Sequence, residues 1–112
     1  MIVSAMKKTQ LNRGMKRRVM YVESKGAPMD GAHARIGWVT FSKSGSTVYY
    51  RDKVLAKAPR GISGNFFDTE TSDEYWISGV KKRGSNAHYA EPVKIVIDDD
   101  ALEEYKKIKG SP

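Results

Sequence analysis

From Arg18 onward the apolar residues come in short runs, each stopped by glycine, proline, serine or aspartate. Such runs are too short for a helix to bury a lengthwise stripe. They suit strands, in which successive residues face opposite sides of a sheet. Residues 18–23 (RVMYVE) form the first run, and the loop that follows contains Asp30-Gly31. Residues 35–41 (RIGWVTF) are strongly β-prone, with Trp38 and Phe41 on opposite faces by the two-residue period. A serine- and glycine-rich stretch, residues 42–46, then reads as a hairpin turn, and residues 47–51 (TVYYR) as its return strand. Further strands are expected over 53–58, 62–68, 75–81 and 93–97.

The pattern changes at the end of the chain. Asp98, Asp99 and Asp100 precede a segment in which Leu102, Tyr105 and Ile108 recur at helical spacing, with Gly110 behind it. Asp100 and Glu103 have capping-box spacing, acids lie at the positive end of the helix dipole, and glycine suits the residue after the helix. A helix over 98–109 is expected, with that stripe docked on the sheet. The fold class is mainly β: a small curled antiparallel sheet or SH3-like barrel with one C-terminal α-helix. Several runs are apolar on both faces, which a closed sheet explains better than the alternative, an open α+β sheet.

The length of 112 residues fits one domain, and no cysteine is present. Disulfides, thiolate metal sites, iron–sulfur clusters and a cysteine nucleophile are therefore excluded. No window approaches the roughly 18 apolar residues of a membrane span, and no secretory leader is evident, so a soluble, cytoplasmic domain is expected. The formal charge of +7 is unevenly placed. Lys7, Lys8, Arg13, Lys16, Arg17 and Arg18 precede the first acid, and the rest of the chain is nearly neutral. Residues 1–17 are read as a flexible basic arm and residues 18–109 as the domain.

From Lys16 onward the chain resembles a group of short bacterial proteins of uncharacterised function. The likeness rests on RIGWVTFSK at 35–43, VYYR at 48–51, GISGNFFD at 61–68, EYWISGVKK at 74–82, His88, and Ile97 with Asp98. Some proteins that look like this carry the label 1-deoxy-D-xylulose-5-phosphate synthase. That enzyme is a large multidomain thiamine-diphosphate protein whose cofactor motif begins Gly-Asp-Gly. No such tripeptide occurs here, and 112 residues are too few for its interdomain cleft. The resemblance implies the fold; that activity is physically implausible at this length.

Each candidate for chemistry has a plain structural reading beside it. His88, next to Tyr89 in a polar loop, could shuttle a proton or meet a phosphate near Lys81, Lys82 and Arg83, but loop histidines commonly bond to backbone. His33 is a weaker case. The Asp98–Asp100 triplet is accounted for by capping rather than by a cation, and the acidic stretch from Asp68 to Glu74 lacks the spacing of a calcium loop. Gly64-Asn65 leads into Phe66-Phe67, a strand rather than a helix, so it reads as a turn and not as a phosphate cradle. Trp38, Tyr49, Tyr50, Arg51 and Trp76 place rings and a guanidinium on adjacent strands. The two-residue period puts Tyr49 and Arg51 together on the outer face and Tyr50 in the core.

No enzyme signature is present, and no catalytic residue, metal or cofactor is assigned. The reading is a binding or adaptor module for an anionic partner, nucleic acid or an acidic protein surface, through Tyr49, Arg51, Lys81, Lys82, Arg83 and His88. The alternatives are a small enzyme or metabolite binder centred on His88, and a protein–protein module whose basic arm is incidental.

Overall fold

The computed structural model describes residues 15–58, 64–82 and 94–110. Its strands are β1 (Lys16–Ser24), β2 (Ala34–Phe41), β3 (Thr47–Tyr50), β4 (Lys53–Lys57), β5 (Phe66–Asp68), β6 (Glu74–Gly79) and β7 (Ile95–Ile97). A 3₁₀ turn, Asp99–Ala101, leads into helix α1 (Leu102–Lys109). The first six strands are antiparallel to their neighbours in the order β1-β6-β5-β4-β3-β2, and β2 pairs back onto β1. The sheet therefore closes into a barrel, and the open α+β alternative is not what forms. Closure removes the free edges that an open sheet would expose.

The β1–β2 register runs from Lys16↔Phe41 to Glu23↔Ala34. β1 thus starts at Lys16, so Lys16 and Arg17, read from the sequence as part of the arm, belong to the barrel. Six successive residues of β1, from Val19 to Ser24, are buried. Two cores, one on each side of the strand, account for Val19 to Val22, while the buried Glu23 carboxylate accepts from the Tyr21 hydroxyl and the Ser24 hydroxyl donates to the Ala27 carbonyl at 2.6 Å. Met20 and Val22 face the interior with Val39, Val48, Tyr50, Leu55, Tyr75 and Ile77. Val19 and Tyr21 face outward, where Ala34, Ile36 and Ala101 join them beneath Tyr105 and Ile108 of α1. No helix among the described residues is long and apolar enough to cross a membrane.

Two expectations for the C-terminal segment need correction. Ala101, fully buried, takes the place in the docking stripe expected of Leu102, which is 40% exposed. The 3₁₀ turn ahead of the helix rotates the first helical residue away from the barrel. The capping box does not form either: neither the turn nor α1 has a side-chain cap. The Asp98 carboxylate is drawn inward by cationic and hydroxyl partners on the barrel. At the other end Gly110, at φ 74, closes the helix as expected.

Asn65 secures the entry to β5. Its side-chain amide donates to the Ile77 carbonyl at 2.7 Å and accepts from the Ile77 N–H at 2.8 Å, so it acts as one more rung of the β6 ladder. A β-carbon on Gly64 would lie 2.9 Å from the backbone nitrogen of Tyr75, so only glycine permits this approach.

Candidate functional site

The site arises because one edge of β2 is shared by two strands. Thr40 and Phe41 pair with Tyr49 and Val48 of β3, while Ala34 to Ile36 pair in parallel with β7. Between these pairings, at residues 37–39, no described strand is bonded to that edge. The elements diverge there, and a cleft of about 620 Å³ opens.

Asp98 forms its floor. The Asp98 N–H donates to the Ile36 carbonyl at 2.8 Å, extending the β7 pairing by one bond and swinging the carboxylate over Gly37. Arg35 Nε donates to Asp98 Oδ1 at 2.9 Å, and the Tyr50 hydroxyl donates to Oδ2 at 2.6 Å. Arg51 Nη1 lies 3.5 Å from Oδ1. Arg35 also donates through Nη1 to the carbonyls of Met29 and Asp30, at 3.0 and 3.3 Å. The Arg35 and Asp98 side chains are only 11% and 10% exposed, so each charge depends on the other for the solvation that burial removed. Burial, and then the hydrogen bond to the Asp98 carboxylate, hold the Tyr50 phenol protonated far above the usual tyrosine range.

The rim is strained. Arg51 and Asp30 sit in left-handed backbone conformations, at φ 54 and 48, in the turns after β3 and before β2. The Arg51 guanidinium binds the Asp30 carboxylate, clasping one turn to the other. A left-handed conformation costs a side-chain-bearing residue about 1 kcal/mol, and the partners on Arg51 offset it here.

Side chains on the outer face form the walls. The cross-strand register aligns Arg17, Thr40 and Tyr49 on β1, β2 and β3. The Arg17 guanidinium lies 4.5 Å from the centre of the Trp38 ring, and Trp38 Nε1 donates to the Asp100 carbonyl at 2.8 Å. Asp99 and Asp100 line the cleft beside Trp38. The cleft thus brings guanidinium groups, flat rings and acidic residues to one place.

Of the residues anticipated from the sequence, Tyr49 and Arg51 meet at this cleft, and Tyr50 is buried in the core as the period required. Arg51 belongs to the turn rather than to the return strand. Lys81 and Lys82 are exposed but follow β6, which lies on the other side of β1 from β2, and they do not line the cleft. Arg83 and His88 lie outside the described residues. His33 is exposed, and its carbonyl accepts from the Ser24 N–H at 2.7 Å. Arg17, Arg35 and Asp98 were not anticipated as site residues. The available signal was the spacing of Arg35 and Gly37, which puts a cation and a side-chain-free position on one face. Asp68 Oδ1 accepts from the N–H groups of Glu70 and Thr71, so the acidic stretch is a turn. Among the described residues no group of three histidine, aspartate or glutamate side chains could hold a metal ion.

No protein-family model, curated protein or solved structure matches the chain. The fold and the cleft define the class: a small SH3-like β barrel with a C-terminal helix and an arginine-rich, aromatic-walled groove.

Proposed function

We propose that the protein is a binding module, without bond-making chemistry, that holds a single-stranded nucleic acid across the outer face of β1, β2 and β3. The observation that carries this reading is the alignment of Arg17, Thr40 and Tyr49 on neighbouring strands, with Trp38 under Arg17 and Arg51 beyond Tyr49. Small β barrels hold single strands by stacking bases on exposed rings while cations follow the phosphates. Tyr49 supplies a ring, and Arg17 and Arg51 flank it with charge. The presence of Asp99 and Asp100 at the cleft favours this partner over an acidic protein surface. Carboxylates repel phosphates and acidic side chains alike, but a nucleic acid also brings exocyclic amino groups of bases, from which they accept hydrogen bonds.

Fluorescence titration of the Trp76→Phe variant with short DNA and RNA single strands, at several salt concentrations, tests the reading. The expected result is saturable quenching of Trp38 that weakens as salt rises and survives deletion of residues 1–14. Tyr49→Ala should weaken binding about tenfold, within the range for loss of one stacked base. Binding that disappears with the deletion would assign it to the basic arm alone. Absence of quenching, with capture of an acidic protein partner instead, would overturn the nucleic-acid reading.

A further inference from the structure

A second pocket, of about 340 Å³, lies where the β1 N-terminus meets the β2–β3 hairpin. Strand alternation sends Arg17 outward to the cleft and sends Lys16 and Arg18 to the other face, toward this mouth. Lys43 joins them from the hairpin turn, and Phe41 contributes an apolar surface. Among the described residues no acidic one lines the pocket, and none of the three cations forms an ion pair. The turn is ordered by its own bonds. Ser42 accepts from the Thr47 N–H through Oγ at 3.1 Å, leaving its hydroxyl proton to donate, and the Gly45 N–H donates to the Ser42 carbonyl at 2.9 Å. Like charges held together without a counter-charge create a local positive potential that an anion relieves.

We propose that this mouth is an oxyanion site that takes a phosphate group, with Arg18 as the planar donor fork, Lys16 and Lys43 as point charges and the Ser42 hydroxyl as a further donor. The site is separate from the cleft and does not depend on it. Its phosphate could belong to a nucleic-acid backbone or to a free polyphosphate, and the two sources are separable by experiment.

Amide shifts of the ¹⁵N-labelled full-length chain are followed with tripolyphosphate in one arm and a ten-nucleotide thymidine strand in the other. The expected result is a saturable shift at residues 42–46, weakened at least tenfold in the Arg18→Gln/Lys43→Gln variant. The Lys106→Gln/Lys107→Gln variant, which removes equal charge from α1, should bind as the parent does. A response to tripolyphosphate alone identifies a free phosphate compound as the ligand; a response to the strand identifies its backbone. Shifts that do not saturate, or that fall equally in both variants, would overturn the site. Trp38 fluorescence reports the cleft separately, so failure at one location is distinguishable from failure at the other.

Discussion

The Asp98 carboxylate fills the space that Gly37 leaves open. A β-carbon on Gly37 would overlap Asp98 Oδ2 and lie 2.8 Å from Tyr50 Cε1. Asp98 is anchored by Arg35 and by the Ile36 carbonyl and Tyr50 is bonded to it, so withdrawal of either strains these bonds. Gly37→Ala should destabilise the barrel by about 1–3 kcal/mol, the usual cost of overpacking. The midpoint of urea unfolding, at unchanged slope, is the check.

Asp98→Ala should cost about 3–5 kcal/mol, because it strands the nearly buried Arg35 guanidinium. Asp98→Asn, which retains an acceptor, should cost less. Denaturation of the two variants side by side separates loss of the charge from loss of the hydrogen bonds.

The phenol of Tyr50 makes stability depend on alkaline pH. Its folded-state pKa is raised, so the unfolded chain loses this proton first. The contribution is complete below the unfolded value of about 10 and is lost as pH rises toward the folded one. Between those limits unfolding free energy should fall by about 1.4 kcal/mol per pH unit on account of this residue. Tyr50→Phe should flatten that part of the profile, and at neutral pH should cost about 1.5–3 kcal/mol through the lost bond to a carboxylate. Paired denaturation curves from pH 7 to 11 provide the measurement.

Asn65→Ala leaves both backbone groups of Ile77 without their side-chain partner. A loss of about 2 kcal/mol is expected, since unmade bonds to partly buried groups cost more than made bonds contribute. The specific sign is faster hydrogen exchange at the Ile77 amide, with amides in α1 unaffected.

If a single strand crosses the cleft, neutralising Arg17 or Arg51 should reduce the salt dependence of its binding. Each Arg→Gln change should lower the slope of log K against log salt by about 0.7, the value for one phosphate contact on a single strand. Arg17→Gln should also alter Trp38 emission in the free protein, because it removes the cation from the ring.

What the sequence disclosed was local. The hairpin of β2 and β3 is legible, over 35–41 and 47–51, because turn residues separate two β-prone runs, and the two-residue period that the backbone imposes sends Tyr50 to the core. The parallel pairing of β7 with β2 was not legible, because no nearby signal fixes the register of strands so far apart in the chain. Asp98 shows the same limit. Before a helix an aspartate reads as a cap, and only the arrival of Arg35 and Tyr50 from β2 and β3 makes the interior the better place for its charge. Arg17 reads as part of the arm for a related reason: a run of cations looks solvated until the strand that pairs with it is known.

The enclosure of β1 on both sides has a consequence for how the gene can vary. A strand at the surface of a barrel accepts polar replacements at every second codon, so its tolerance profile oscillates. From Val19 to Ser24 that oscillation should be absent, and saturation mutagenesis should find one unbroken intolerant block where an ordinary strand would show a comb.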